Sequence, residues 1–258
     1  MKGALVTGAS QRIGRCIAEA LAADGWHVAV HHHTADDAAA DTVRAIIDAG
    51  GQATAVQADL SDPDACRELM DVAGQVTSGL SCLINNASVF VEDRIGDVDV
   101  AGFDQIMAVN LRAPMLLSQA FAAQLPGRED GVIINILDQK LANTNPDFLS
   151  YSLSKYGLAG LTDMLAMALG PRIRVCGVAP GLTLPSGEQS DSQFQAVHQR
   201  TPLARGSVPE DIAGAVRYLV DARAVTGETI LVDGGQHLVR SERDVMFLDP
   251  TPDQDTSQ

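Results

Sequence analysis

Tyr151 and Lys155 stand four residues apart, and Asp138 lies a short way before them. On a helix that spacing places two side chains on one face. A lysine ammonium there lowers the pKa of the neighbouring phenol and makes it a proton donor or acceptor near neutral pH. Asp138 adds a carboxylate to the pair. An ionised carboxylate only accepts hydrogen bonds, so it suits a reacting edge carrying N–H groups, such as a heterocyclic imine, better than a bare ketone.

These side chains need elements to hold them. Apolar runs of strand length recur at residues 4–6, 27–30, 53–56, 82–84, 132–137, 174–178 and 229–232. Between them, residues 13–23, 36–49, 63–76, 103–124, 151–169 and 209–220 carry amphipathic or Ala/Leu-rich spacing that predicts helices. The alternation predicts an α/β fold: one doubly wound parallel sheet of about seven strands with helices on both faces. Parallel strands buried on both sides read as continuous apolar runs, as Val132, Ile133 and Ile134 do. Ligands of such sheets bind beyond the C-terminal ends of the strands, so the residues that follow each strand are the ones to inspect. Residues 1–240 read as a single domain, and 241–258 as an acidic extended tail whose apolar residues Val245, Met246, Phe247 and Leu248 are placed to dock on a neighbouring subunit.

The chain has 258 residues and a formal net charge of −15, which disfavours nucleic acid and anionic membrane surfaces and leaves a small molecule as the expected partner. No apolar run suggests a bilayer span, and the sequence enters a strand-like segment at Gly3 without a signal-like stretch, so a cytoplasmic location is expected. Cys16, Cys66, Cys82 and Cys176 have no metal-ligand spacing and read as reduced core thiols.

Thr7, Gly8, Ala9, Ser10, Gln11, Arg12, Ile13 and Gly14 follow the first strand and open a helix. A glycine-rich turn at that place lets backbone amides and the helix N-terminus face a pyrophosphate. The second strand ends at His31, His32 and His33 without the acidic residue that would take the ribose 2′-hydroxyl of NAD, which tilts the expectation to NADP. Arg12, His33 and Thr34 can surround a 2′-phosphate, while Asp36 and Asp37 are read as capping the next helix. Alternation along a strand lets only His31 and His33 converge, and with no third ligand no metal site is expected there.

Taken together the chain resembles the short-chain dehydrogenase/reductase family from about residue 2 to 238. The resemblance rests on the Thr7 to Gly14 turn, Asp59 and Leu60, Asn85, Asn86 and Ala87, Asn110, the Tyr151 and Lys155 pair, Pro180 and Gly181, and Asp233, Gly234 and Gly235. It implies a Rossmann-type fold, with Tyr151 as proton donor, Lys155 holding the nicotinamide ribose and Asn110 supporting a relay water. It also implies a cofactor site drawn from Gly8, Ser10, Arg12, Ile13, Gly14, His31, His33, Thr34, Asp59, Leu60, Asn86, Ala87, Tyr151, Lys155, Pro180, Gly181 and Thr183. Two departures narrow it: Arg12 stands where the family has a middle glycine, and Asp138 where it has a serine. Both are similar to the pteridine reductase subgroup, as are His31 and His33 and the stretch Asn85, Asn86, Ala87, Ser88 and Phe90. That likeness implies an NADPH-dependent reduction of a dihydropterin C=N bond. Phe90 would stack the pterin, with Ser88, Arg12, Asp138 and Tyr151 around it. Thr34 and Ala35 depart from the arginine and serine that follow the histidines in familiar members. An ordinary ketone oxidoreductase, with Asp138 structural, and a non-catalytic NADP-binding sensor remain open. The family implies a homotetramer built on the helices predicted at 103–124 and 151–169.

Overall fold

The computed structural model describes residues 2–125, 127, 130–185 and 191–247. Seven parallel strands form one sheet: β1 (Lys2–Val6), β2 (Trp26–His32), β3 (Gln52–Gln57), β4 (Leu80–Asn85), β5 (Gly131–Ile136), β6 (Ile173–Pro180) and β7 (Thr229–Val232), in the order β3-β2-β1-β4-β5-β6-β7. Each predicted strand is present; β1, β2, β3, β4 and β6 run on by one or two residues at one or both ends, and β5 starts and ends one residue earlier than predicted. Successive residues of a strand serve opposite cores. Ala4, Val6, Ile84 and Ile134 join Ile17, Leu21 and Val216 on one face, while Leu5, Leu83 and Ile133 join Met70, Leu117 and Phe121 on the other. β5 is buried throughout, as a central strand covered on both sides must be.

The helices are α1 (Arg12–Ala23), α2 (Asp36–Asp48), α3 (Pro63–Val76), α4 (Val100–Met107), α5 (Ala113–Gln124), α6 (Leu149–Leu169), α7 (Asp191–Gln199) and α8 (Pro209–Asp221). Proline at the first turn and an Asp62 side chain accepting from the Asp64 amide at 2.8 Å start α3 where the sequence predicts it. The helix predicted at 103–124 begins earlier, at the Asp99 cap, and contains a π-helical turn at Ala108–Arg112 between α4 and α5. By length and composition Val100–Gln124 is long and apolar enough to cross a bilayer, against the expectation that no run is; half of its most apolar stretch is buried in the domain. α7 lies in a segment of mixed composition for which no helix is predicted, and Ser186, Gly187, Glu188 and Gln189 of that segment fall outside the described residues.

The expected extended tail is partly folded. Val245–Phe247 form a 3-10 turn packed on their own chain, whereas Leu248 and the prolines beyond it lie outside the described residues. The strand order reverses beside β1, between β2 and β4, so the C-terminal ends of β1 and β4 open the crevice in which such sheets bind ligands.

Candidate active site

A cavity of about 550 Å³ runs across those strand ends, from Gly8 and His33 at one side to Asp138, Tyr151 and Met246 at the other. All the sequence-predicted site residues line it except Asn110, which lies just behind its wall.

The nucleotide side is fixed by bonds to backbone. The Thr7 hydroxyl accepts from the amides of Asn86 and Ala87 at 2.9 and 3.0 Å, and the Asn86 side chain donates to Thr7 O and Gly8 O at 2.8 and 3.1 Å. These bonds lock the turn after β1 to the end of β4. Gly8 has φ +61°, and a Cβ on Gly14 would fall 2.2 Å from the Gly8 carbonyl, so helix and turn approach as closely as a phosphate cradle requires. Arg12 stands at φ 56°, a left-handed conformation that a non-glycine residue adopts at a cost of about 1 to 2 kcal/mol. Its guanidinium donates to Pro185 O at 3.1 Å, across the mouth of the cavity.

His31 has a more structural position than its place in the motif suggests. Its Nδ1 accepts from the Gly8 amide at 3.0 Å, which assigns the proton to Nε2, 3.2 Å from Ala58 O. Burial pushes its pKa down to about 4. The imidazole is neutral and its nitrogens are committed to the scaffold, leaving His33, Thr34 and Arg12 at the open edge. His33 Nε2 lies 3.8 Å from Asp59, whose carboxyl the Ser61 bonds hold below its ordinary range. The Thr183 hydroxyl donates to Gly181 O at 2.9 Å, close after Pro180, while Leu60 is buried beneath.

On the catalytic side, the loop after β4 positions the tyrosine. Asp93 accepts from the Leu149 amide through its carbonyl and from the Ser150 amide and hydroxyl through its carboxylate, capping α6 just before Tyr151. Tyr151 donates to Asp138 Oδ2 at 2.7 Å, and Asp138 Oδ1 accepts from the Lys140 amide at 2.8 Å. Lys155 is buried and donates to Ile136 O at 2.7 Å, its nitrogen 5.5 Å from the Tyr151 ring. In the π turn, Asn110 accepts from Val89 N at 2.7 Å and donates to Val89 O and the Ser154 hydroxyl, holding the loop that carries Ser88 and Phe90.

The electrostatics correct one expectation. Lys155 does not acidify Tyr151 in this arrangement: burial first, then the Asp138 charge and hydrogen bond, hold the phenol well above its ordinary pKa. Burial also raises Asp138, against the bonds it accepts, and lowers Lys155 to about 8. Phe90 is 41% exposed, stacked on Phe148 with ring centroids 4.3 Å apart and edge-on to Tyr151 at 4.6 Å.

Sequence reasoning missed Gln139, Lys140, Asp244, Val245 and Met246, all of which line the cavity. Gln139 and Lys140 follow Asp138 directly and so carry a positional signal; Val245 and Met246 carry only the apolar signal read as docking on a neighbouring subunit, and Asp244 carries none.

A family model described as enoyl-(acyl carrier protein) reductase matches residues 8–237. An uncharacterized oxidoreductase of Methylorubrum extorquens is 40% identical, covering 91% of this chain and 97% of the relative. A 3-oxoacyl-(acyl-carrier-protein) reductase of Synechocystis is 34% identical, covering 90% and 95%. Among solved structures, FolM alternative dihydrofolate reductase 1 from Brucella canis, complexed with NADP, superposes with a TM-score of 0.90 at 41% identity, over 94% of this chain and 96% of that one. An angucycline C-6 ketoreductase with bound NADP gives 0.85 at 35% identity, over 92% and 96%. The family match and relatives of this identity over nine-tenths of the sequence show that the chain belongs to the short-chain dehydrogenase/reductase family and is an oxidoreductase.

Proposed function

We propose that this chain is an NADPH-dependent reductase of a pteridine C=N bond, with a dihydropterin or dihydrofolate as substrate. The observation that carries the reading is the Asp138 carboxylate bonded to the Tyr151 hydroxyl inside the cavity, because it presents an acceptor to the substrate edge where a ketone would need a donor. Similarity to an alternative dihydrofolate reductase in complex with NADP supports it.

The residues present fit a dinucleotide. Gly8 and Gly14 let the turn after β1, the end of β4 and the start of α1 close on one another, which sets the backbone of a pyrophosphate cradle, and Arg12, His33 and Thr34 offer donors for a 2′-phosphate. Lys155, in the lining of the cavity, would hold the ribose. When bound, NADPH supplies a hydride to the ring carbon. As the C=N electron pair moves to nitrogen, that nitrogen becomes far more basic than a phenolate, so Tyr151 donates its proton even with a raised pKa. Lys155, protonated below about pH 8, stabilises the phenolate left behind. Asp138 accepts from the ring N–H groups and holds the substrate in register, while Phe90, with 41% of its surface exposed, offers an aromatic platform beside Tyr151. Ser88 and Arg12 complete the substrate's surroundings.

The test is NADPH oxidation with dihydrobiopterin, dihydromonapterin and dihydrofolate in parallel, with NADH as control. Turnover of any of them with NADPH preferred supports the reading, and none on all three overturns it. The second reading, ketone reduction, is favoured by relatives described as ketoacyl reductases. Asp138→Ser separates the two: it damages pteridine reduction under the first and improves ketone reduction under the second.

The reading includes a homotetramer. Met115, Leu153, Met164 and Met167 leave an apolar face exposed on α5 and α6, and sizing chromatography showing a monomer would contradict its use in assembly.

A further inference from the structure

The C-terminal segment is held at the catalytic side of the cavity by more interactions than a tail needs. Lys140 Nζ lies 2.6 Å from Asp244 Oδ2, with only 5% and 9% of the two side chains exposed, and also donates to Asn145 Oδ1 at 2.9 Å. Asp147, fully buried, accepts from Arg243 Nε through both carboxylate oxygens at 2.8 and 3.1 Å and from the Asp244 amide at 2.7 Å. Arg94 reaches the same carboxylate at 3.2 Å. The Phe247 ring has the guanidinium groups of Arg94 and Arg243 at 4.9 and 5.2 Å from its centroid, and stacks on Phe148, which in turn stacks on Phe90. Upstream, Asn143 donates to Val239 O at 3.0 Å and accepts from the Ser241 amide.

A buried ion pair is a poor source of stability, because desolvation cancels most of the attraction, yet breaking one partner leaves a costly charge. Its effect here is positional. Lys140 is the second residue after Asp138, so the pair fixes Asp244, Val245 and Met246 against the part of the cavity that holds the reacting groups. The charge of Asp244 also acts on Tyr151. Val245 and Met246 add an apolar surface next to this neutralised pair, and methionine adapts to irregular ligands.

We propose that residues 241–247 form the substrate-selecting wall of this chain's own cavity, latched by the Lys140–Asp244 ion pair, with Val245 and Met246 gripping the substituent that projects from the reacting group. The wall faces the substrate and not the nucleotide, so it holds for a pteridine and for a ketone alike and does not depend on which of the two is reduced.

Steady-state kinetics on Met246→Ala and Asp244→Asn test it, with dihydrobiopterin as the short-substituent substrate and dihydrofolate as the long one. Met246→Ala shifts the ratio of kcat/KM between the two by about tenfold, the usual worth of a methylene or two in an apolar pocket. Asp244→Asn raises the KM for both by about tenfold, as the loss of one partner of a buried pair does locally, with the KM for NADPH within about twofold of wild type. An unchanged ratio together with an unchanged substrate KM overturns the proposal, as does an equal rise in the KM for NADPH, which would make the segment a general staple. Met246 is only half-buried, so its truncation leaves the fold intact even where Asp244→Asn does not fold. If wild type reduces neither of these nor dihydromonapterin, that result sinks the pteridine reading alone, and the same variants are assayed with benzoquinone and phenanthrenequinone as the small and large carbonyl substrates, with the same criteria.

Discussion

The two ends of the cavity are built from different materials. At the nucleotide end, side chains hold backbone: Thr7, Asn86 and His31 each bond to main-chain groups of neighbouring strand ends, and the glycines let those ends approach. At the substrate end, side chains also hold each other: Tyr151 to Asp138, Lys140 to Asp244, Arg243 to Asp147, and Phe90 to Phe148 to Phe247. Backbone geometry is common to every member of a fold, whereas side-chain networks change with one substitution. The first end therefore accounts for the cofactor type and the second for the substrate, and changes at each should produce different failures.

The largest separation is expected at Tyr151. Tyr151→Phe removes the proposed proton donor without altering the nucleotide end, so kcat is expected to fall about 100-fold or more, roughly 3 kcal/mol of barrier or greater, while NADPH affinity is retained. Stopped-flow binding beside steady-state turnover measures both. A variant with near wild-type turnover would remove the tyrosine from the mechanism; one that also loses NADPH would show that the two ends are not separable.

Acid attacks the nucleotide end first. Folded His31 takes up a proton only near pH 4, against 6.5 for an ordinary histidine, so between those values the unfolded chain binds more protons and stability falls as pH falls. The loss across the window is about 3 kcal/mol at most, at 1.36 kcal/mol for each pH unit of difference. Urea unfolding at pH 7, 5.5 and 4 reads it. His31→Asn, which cannot be charged, should flatten that dependence; equal slopes in both proteins would assign the acid loss to the carboxylates instead.

Gly14→Ala probes the close approach itself. The new methyl would lie 2.2 Å from the Gly8 carbonyl and 2.5 Å from Asn86 Nδ2, so the turn must shift, at about 1 to 3 kcal/mol for overpacking. The KM for NADPH should rise with it and the preference between substrates should not. A changed substrate preference would mean that the turn also shapes the far end.

This division explains what could be read in the sequence. Strand runs such as Val132 to Ile134, the glycine turn and the Tyr151, Lys155 and Asp138 cluster are local patterns, and the structure brings them together as spacing and topology require. The direction of the Tyr151 shift was not legible, because it depends on burial and on the distance to Lys155, which spacing along a helix does not fix. The π turn around Asn110 carries no composition signal, since it is an ordinary helical sequence with one extra residue per turn. Asp244 was invisible for another reason: its partner Lys140 is more than a hundred residues away, and an acidic residue in a polar tail looks solvated until the fold supplies the lysine.

The smallest effect discriminates most finely. Arg12 belongs to the nucleotide turn and, like the rest of that end, holds backbone with its side chain, but it occupies a left-handed position where glycine would cost nothing. Arg12→Gly relieves about 1 kcal/mol of that strain and gives back about 0.5 to 1 kcal/mol through the freer unfolded chain, so the thermal midpoint should barely move. The bonds proposed from the guanidinium to a 2′-phosphate would be worth more, so the preference for NADPH over NADH should drop about tenfold. A stable variant with weakened preference makes Arg12 a recognition device kept despite its backbone. A variant that loses about 2 kcal/mol of stability, with preference unchanged, would make the Arg12 to Pro185 bond a brace of the cavity mouth and return this residue to the scaffold.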